Sequence, residues 1–465
     1  MKTLSPANIL ALGFMTFALF LGAGNIIFPP NAGLQAGENL WPTAMGFLIT
    51  AVGLPLLTLV ALARVGGGIQ ELTAPLGRLP GLILAILVYL AIGPLFATPR
   101  TATVSYEIGI VSLVGDSWQA LLGYSLVYFA IVLALALKPG RLIDNIGKII
   151  TPVLLLAVGV LGITAVLLPP GPPELAAPAY RDAPVIEGIL QGYLTMDALG
   201  ALVFGVVITR AIRDRQVQES HVVTRYTIFA AIIAAIGLAL VYLALFRLGA
   251  TSSSLVGEGA NGGQILAAFV QYRFGNGGSF LLAVVITLAC LTTAVGLISA
   301  CGSFFSREFP VSYAQVVWIF TIFCMAVSNQ GLDSLIRISI PVLVGLYPLA
   351  IALVCLGLFS RNLTRPENIM RPVMLVALAF GIIDGLKTAG FMARDTAWLS
   401  ALPFSSQGLG WLVPALIMLA LALAVDRPWV FLQTRENVTG ISNRVKGFEH
   451  HPTGSYFLED VSLTD

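Results

Sequence analysis

The sequence has few charged residues. Only 10% of its 465 residues are Asp, Glu, Lys or Arg, whereas 57% are hydrophobic and the mean hydropathy is +0.91. Because soluble domains carry about 25% charged residues, this composition excludes an ordinary soluble protein and indicates a membrane protein with many spans. The net charge of +2 provides no basic face, so no nucleic-acid partner is expected.

Residues for metal or catalytic chemistry are also scarce. There are three histidines, which argues against a histidine metal centre, and four cysteines, all in apolar stretches and without a CxxC pair. The cysteines are therefore predicted to be small core residues. GAGNII lacks the third glycine of a dinucleotide-binding loop, and no Walker A loop or Ser/His/Asp set is present. We expect neither an enzyme nor a cofactor, and the sequence indicates no obligate protein partner.

Apolar runs of roughly 17 to 30 residues recur along the chain, long enough for helical spans and too long for barrel strands. They predict an all-α membrane protein with twelve transmembrane helices. The predicted spans are about 5–30, 41–63, 79–110, 118–137, 147–168, 187–209, 226–246, 278–305, 313–329, 336–359, 371–390 and 408–425.

The basic residues predict the orientation of these spans. With the N-terminus in the cytoplasm, 18 of the 25 Lys and Arg residues fall on the inner side and six on the outer side, and Arg100 lies within the third span. This bias agrees with the positive-inside rule when both termini are cytoplasmic. The polar segment after Val425 is predicted to be a flexible cytoplasmic tail.

The first predicted span contains its own interruption, LFLGAGNIIFPP, at residues 19–30. It lies within a run that has no charged residue from Thr3 to Gly37. Glycine, asparagine and proline disfavour a continuous helix, and irregular backbone inside a bilayer is tolerated only where it is buried or lines a cavity. One interpretation is a glycine packing notch. The other is a binding site, in which freed N–H groups face an anion and freed carbonyls face a cation.

A second interruption is predicted in the sixth span, GYLTMDALGALVFG, which carries Asp197 near its middle. This carboxylate could bind a cation, accept a proton, order unwound backbone or make a structural hydrogen bond. Interruptions in spans one and six are spaced as expected for two five-span inverted repeats. The predicted organisation is a first repeat at 1–168, a loop at 169–186, a second repeat at 187–359, two further helices within 360–425 and the tail at 426–465.

The eighth span contains a third pattern, LACLTTAVGLISACGSFF. Thr292 and Thr293 follow Ala289 by three and four residues, and these positions share one helix face. The Ala289 carbonyl and the two hydroxyls could bind a small alkali cation. Alternatively, the threonines bond back to the preceding turn, as helical threonines often do.

Arg100, in ATPRTA, is the only basic residue that lies inside a predicted span and away from its ends. A buried charge requires a partner. Three alternatives remain open: Arg100 pairs with Glu107, it pairs with Asp197, or it lies nearer the outer surface.

The combination of GAGNIIFPP, GYLTMDALGAL and CLTTAVGLISACG resembles the bacterial branched-chain amino acid:cation symporters, over nearly the whole chain. LGAGNIIFPP and the span that follows it are also similar to the first two spans of the neurotransmitter:sodium symporters. The resemblance implies a leucine-transporter-type fold. It also implies sodium-coupled uptake of leucine, isoleucine and valine across the bacterial inner membrane by alternating access.

The resemblance implies a set of site residues as well. The substrate would lie beside Ala23, Gly24, Asn25, Tyr193, Thr195 and Asp197, with its carboxylate on the N–H groups around Ala23 and Gly24. Asn25 and Thr195 would also serve a second sodium ion, although span seven has no clear asparagine to complete that shell. The first sodium ion, as the coupling ion, would be held by Ala18, Leu21, Ala289, Thr292 and Thr293.

Two other functions compete with this interpretation. A proton-coupled permease would use Asp197 as the proton carrier. A channel would favour symmetric subunits and a continuous polar lining, neither of which the sequence indicates.

Overall fold

The computed structural model describes residues 4–138, 141–257, 259–360, 363, 365–392, 402–405 and 408–426, together with four two-residue strands farther along the chain. The chain divides into two compact units, Met1–Ala422 and Leu423–Asp465. The first unit is built from helices.

Each of the twelve predicted segments contains helix. In chain order the α-helices of these segments are Pro6–Phe20, Ala23–Ala36, Leu40–Leu48, Leu54–Val65, Arg78–Leu90, Ala97–Ser105, Val111–Val114, Trp118–Ala136, Arg141–Leu167, Pro184–Tyr193, Asp197–Arg213, Ser220–Ala250, Gly262–Glu308, Tyr313–Ser328, Leu332–Phe359, Pro366–Thr388 and Leu412–Asp426. Short helices lie between them at Ile69–Thr73 and Pro178–Asp182, 3-10 turns lie at Gly37–Asn39, Ala74–Leu76 and Ser253–Leu255, and π-helical turns lie at Ile49–Gly53, Ala91–Leu95 and Tyr106–Ile110.

Seven helical stretches of the described residues are long and apolar enough to cross a membrane, and one bent helix pair also meets this test. Four further apolar helices are shorter, with 10–17 residues. By length and composition, the protein is therefore a multi-pass membrane protein.

Both predicted interruptions are confirmed. The first span divides into Pro6–Phe20 and Ala23–Ala36, because Leu21 (ψ 85°) and Gly22 (ψ −165°) leave the helical region. The sixth span divides into Pro184–Tyr193 and Asp197–Arg213, which are bent by 43°. Met196 sits at this second break with φ 64° and ψ 14°, a left-handed conformation that is uncommon for a residue with a side chain.

Glycines bring the divided spans close to their neighbours. A Cβ atom on Gly249, in Ser220–Ala250, would lie 1.9 Å from the Pro30 carbonyl oxygen of the first span. A Cβ atom on Gly188, in the sixth span, would lie 2.0 Å from the Thr43 carbonyl oxygen of the second. No side chain fits at such distances, so glycine is what permits the first span to pack on the seventh and the sixth on the second.

The segment predicted as a loop at 169–186 is fastened to the end of the first span. Glu38 N donates to the Glu174 carbonyl oxygen at 3.0 Å, and Ala177 N donates to the Gln35 carbonyl oxygen at 2.9 Å. The Asn39 side chain adds a bond of 2.9 Å to the Tyr180 carbonyl oxygen.

Three of the four cysteines are buried, as predicted, but Cys355 is exposed, so the core prediction is wrong for that residue. In the second unit, Val445–Lys446 pairs with Ser462–Leu463, and Glu449–His450 pairs with Tyr456–Phe457. The rest of the predicted tail at 427–465 lies outside the described residues, and its flexibility stays a prediction.

Candidate functional site

The two breaks face each other inside the protein. A Cβ atom on Gly24 would lie 3.2 Å from the Thr195 carbonyl oxygen, 3.3 Å from its Cα atom and 3.5 Å from the Leu194 carbonyl oxygen. The helix that begins at Ala23 therefore starts directly beside the point where the sixth span unwinds. The first-turn N–H groups of a helix have no partner within it, so those at the start of the helix Ala23–Ala36 are placed beside the second break.

Asn25 holds the first break in shape and connects it to the second. Its Oδ1 accepts a hydrogen bond from Gly22 N at 3.0 Å, which caps the helix that follows. Its Nδ2 donates to Asp197 Oδ2 at 2.6 Å and also to the Tyr242 hydroxyl. One amide side chain thus joins spans one, six and seven.

Asp197 is the first residue of the second half of the sixth span, and only 4% of it is exposed. Its Oδ2 accepts hydrogen bonds from Tyr242 Oη and Asn25 Nδ2, both at 2.6 Å. A negative charge at a helix N-terminus is also favoured by the helix dipole. Both of these bonds end on Oδ2, and the Thr195 side chain is a further hydrogen-bond partner of the carboxylate.

Arg100 pairs with neither Glu107 nor Asp197, so two of the three alternatives that the sequence left open are wrong, and the third, a position nearer the outer surface, stays a prediction. Arg100 is 2% exposed, and within the described part of the chain no ion pair involves it. Its Nη1 donates to the Leu194 carbonyl oxygen at 3.0 Å and its Nη2 to Ser339 Oγ at 2.8 Å. Its guanidinium carbon lies 5.1 Å from the centre of the Phe28 ring, within the range of a cation–π contact.

The paired threonines of the eighth span bond back to the preceding turn. Thr292 Oγ1 donates to the Ala289 carbonyl oxygen at 2.8 Å, and Thr293 Oγ1 donates to the same oxygen at 3.2 Å. This arrangement nevertheless gathers the three oxygens that the sequence proposed for a cation. A Cβ atom on Gly22 would lie 3.1 Å from Thr293 Cγ2, so the first break packs directly on this threonine.

A cavity of about 40 Å³ lies where these elements meet. Of the residues predicted for the substrate and ion sites, it is lined by Ala23, Gly24, Asn25, Thr195, Asp197 and Thr293, and Arg100 also lines it. Its apolar wall includes Leu19, Phe20, Ile92, Phe204 and Leu297. The volume holds about three water molecules.

Some predicted site residues lie elsewhere. The Tyr193 ring stacks on Tyr347, with ring centroids 4.3 Å apart and planes at 15°. Leu21 is buried and donates its N–H to the Phe17 carbonyl oxygen at 2.9 Å, within the first span. Ala18, Ala289 and Thr292 are not among the residues that line the cavity. The roles proposed for these residues stay predictions.

The sequence did not predict that Tyr242 contacts Asp197 and Asn25, and it left the partner of Arg100 open. The sequence offered no signal for Tyr242, because a tyrosine in an apolar run resembles any core or interface tyrosine. Arg100 did carry a signal, its position inside a span, but its partners Leu194 and Ser339 are a backbone carbonyl and a neutral side chain. Neither type of partner can be recognised from charge patterning.

Two solved transporters are similar to this chain in fold. One is a nucleobase-cation-symport-1 family transporter in a closed conformation, with a TM-score of 0.57 and 15% identity, covering 91% of this chain and 96% of the other. The other is a Na⁺-coupled sialic acid symporter in an outward-open state, with a TM-score of 0.58 and 14% identity, covering 90% of each chain. At these identities the similarity shows the leucine-transporter-type fold alone.

Relatives of known name are much closer in sequence. The branched-chain amino acid transport system 2 carrier protein of Pseudomonas aeruginosa is 60% identical, covering 92% of this chain and 98% of that protein. The branched-chain amino acid permease BrnQ of Escherichia coli is 53% identical, covering 91% and 97%. These relatives are named as a carrier and a permease, not as enzymes. The family profile described as branched-chain amino acid transport protein matches residues 5–428, and the chain belongs to that family.

Proposed function

We propose that this protein is a secondary active transporter that couples the uptake of leucine, isoleucine and valine to sodium by alternating access. The observation that carries the proposal is the meeting of two broken spans at one small cavity, where Gly24 lies against Thr195. Broken spans of this kind offer N–H groups to an anionic group and carbonyls to a cation at mid-membrane. The names of the relatives support the branched-chain substrate.

The cavity supplies opposite ends for a zwitterion. The substrate ammonium would meet Asp197 Oδ1, since Oδ2 already accepts two hydrogen bonds. The carboxylate would meet the first-turn N–H groups at Ala23 and Gly24. The branched side chain would lie against apolar residues such as Phe20 and Phe204. Because such a wall discriminates by only about 1–3 kcal/mol per methylene, all three substrates would be accepted.

The coupling sodium ion would lie between the first and eighth spans. Its ligands would be the carbonyls of Ala18, Leu21 and Ala289 and the hydroxyls of Thr292 and Thr293. The convergence of both hydroxyls on the Ala289 carbonyl, within 2.8 and 3.2 Å, supports a cluster of neutral hard oxygens there. Neutral oxygens suit a cation that must both bind and leave.

The proposal includes twelve spans, two inverted five-helix repeats and cytoplasmic termini in the bacterial inner membrane. In two five-helix repeats, span six would correspond to span one and span seven to span two. A contact between spans one and seven in one repeat pairing would therefore have a counterpart between spans six and two. Both contacts are made through close glycines, at Gly249 and Gly188. This matched pair of contacts is what two inverted repeats would produce.

Uptake in proteoliposomes tests the proposal. Labelled leucine uptake is measured with an inward sodium gradient at clamped pH, and with a proton gradient in the absence of sodium. We expect saturable uptake that follows sodium and is reduced by isoleucine and valine. Uptake that follows the proton gradient and ignores sodium would instead support the permease that uses Asp197, and uptake that is not concentrative would support a channel.

The ion ligands are tested with Thr292→Val combined with Thr293→Val, which we expect to abolish sodium stimulation. Thr58→Val is a matched control, because Thr58 is buried and its hydroxyl donates to the Leu54 carbonyl oxygen at 2.8 Å, away from the cavity. Sodium stimulation that survives the double substitution would remove the proposed ion site.

A further inference from the structure

Arg100 presents an unusual electrostatic situation. It is a fully buried cation, and no carboxylate of the described residues forms an ion pair with it. Burying a charge without a counter-charge is strongly unfavourable. A charged residue buried inside a predicted span therefore points to a function that uses the charge.

The hydrogen bonds of Arg100 leave part of its guanidinium unused. A guanidinium has five N–H donors. The described bonds use one donor on Nη1, to the Leu194 carbonyl oxygen, and one on Nη2, to Ser339 Oγ. Nε is buried and has no acceptor among the described residues. Donors are therefore free on a side chain that lines the central cavity.

The surroundings of Arg100 fix its position. The bonds to Leu194 and Ser339 attach it to the sixth and tenth spans, and the Phe28 ring of the first span lies 5.1 Å from its guanidinium carbon. The guanidinium is thus held next to the first break and Thr195. A preorganised guanidinium recognises a carboxylate by two parallel charge-assisted hydrogen bonds.

We infer that Arg100 binds the carboxylate of the amino-acid substrate and is the residue that selects for it. The inference rests on the proposed function and names a residue of the same site. Asp197 and Arg100 line one cavity with opposite charges, so together they fit the two charged ends of an α-amino acid. The carboxylate supplies the counter-charge that Arg100 lacks, and the N–H groups at Ala23 and Gly24 then complete its hydrogen bonds.

The test compares leucine with leucinamide, which keeps the ammonium and the side chain and lacks the charged carboxylate. Competition against labelled leucine in proteoliposomes and ligand-induced thermal stabilisation in detergent are both measured. For the unaltered protein we expect leucinamide to bind about 10- to 100-fold more weakly than leucine. In Arg100→Gln, the affinity for leucine should fall by a similar factor, while the affinity for leucinamide should change by less than about threefold. The variant should therefore no longer discriminate between the two ligands.

A purely structural role would give a different result. If Arg100 only joins the spans, Arg100→Gln weakens both ligands equally, and that outcome overturns the inference. Arg100→Lys keeps the charge but not the planar fork and should retain part of the discrimination. Arg64→Gln is the control, since exposed Arg64 also donates to a backbone carbonyl, that of Leu358, at 3.1 Å.

Ser339→Ala keeps the inference testable if Arg100→Gln does not fold. This substitution removes the acceptor of Arg100 Nη2, so the guanidinium is held less firmly. The affinity for leucine should fall by about 3- to 10-fold, and the affinity for leucinamide should stay unchanged. Equal weakening of both ligands, or none, would overturn the inference. Failure of the proposed function is distinguishable, because it shows in the unaltered protein, as leucine uptake that does not follow sodium or as no stabilisation by leucine, whereas the inference concerns the ratio of leucine binding to leucinamide binding.

Discussion

Tyr242→Phe is the most direct test of how the two breaks are held together. Tyr242 Oη donates to Asp197 Oδ2 at 2.6 Å and also accepts from Asn25 Nδ2. The substitution deletes only the oxygen. The ring keeps its edge-to-face packing on Phe47, with ring centroids 5.2 Å apart and planes at 82°. Any change therefore reports the hydrogen bonds and not the loss of packing.

The size of the effect follows from the partners. A hydrogen bond to a charged group contributes about 1.5–3 kcal/mol, and one between neutral groups contributes about 0.5–1.5 kcal/mol. Since Tyr242 makes one bond of each kind to buried partners, we expect Tyr242→Phe to lower the free energy of unfolding by about 2–4 kcal/mol. Asn25 Nδ2 keeps its bond to Asp197, which limits the loss.

The assay is unfolding in mixed detergent micelles, compared with Tyr226→Phe. The Tyr226 hydroxyl accepts one neutral bond from Leu4 N at 2.8 Å, so its removal should lower the free energy of unfolding by about 0.5–1.5 kcal/mol. In an Asp197→Asn background the effect of Tyr242→Phe should fall to the same range, because the charge is gone. Equal losses for the two tyrosines, or an unchanged loss in the Asp197→Asn background, would refute a charge-assisted contact between the breaks.

Two further predictions concern the packing of Gly262 and the hydrogen bonds of Asn261. Gly262→Ala should strongly reduce the amount of folded protein recovered by size-exclusion chromatography, because its Cβ atom would lie 1.6 Å from the Ile27 carbonyl oxygen. Gly123→Ala is the control and should not reduce recovery, since Gly123 has open space around it. Normal recovery of Gly262→Ala would contradict this packing. Asn261→Ala should lower the free energy of unfolding by about 2–4 kcal/mol, and with it the melting temperature. Asn261 Nδ2 donates to Glu107 Oε1 at 2.6 Å and to Asp333 Oδ1 at 3.2 Å, and Asn261 Oδ1 caps the helix that follows. A melting temperature equal to that of Asn276→Ala, an exposed matched control, would show that this bridge contributes nothing.

The breaks could be predicted from sequence because their causes are local. Gly22, Gly24 and Asn25 each disfavour a continuous helix in an apolar run, and Asp197 starts the second half of the sixth span at the favoured end of its dipole. The same local character explains the threonines. A hydroxyl three or four residues after Ala289 can reach its carbonyl whatever the tertiary structure is.

The partners of these groups could not be predicted, because they are set by tertiary packing. Asn25 and Tyr242 are 217 positions apart, and Arg100 and Ser339 are 239 apart. In each case the partner is neutral, so no charge pattern pairs them. Predicting these contacts requires knowing which helices touch, and those helix contacts depend on glycines spread over several spans.

The contacts of Asn25 also separate two places where a sodium ion could bind. An ion on Asn25 Oδ1 competes with Gly22 N for the oxygen that caps the second half of the first span, and loss of such a cap destabilises a helix by about 0.5–2 kcal/mol. An ion at Ala289 needs only the hydroxyls of Thr292 and Thr293 to rotate, which turns two donors into two ligands. The second arrangement therefore requires less reorganisation of the first break than the first does. A ligand shifts a conformational equilibrium only through its differential affinity for the two states. Because an ion on Asn25 would compete with the hydrogen bond from Gly22 N, its affinity would depend directly on the conformation of the first break.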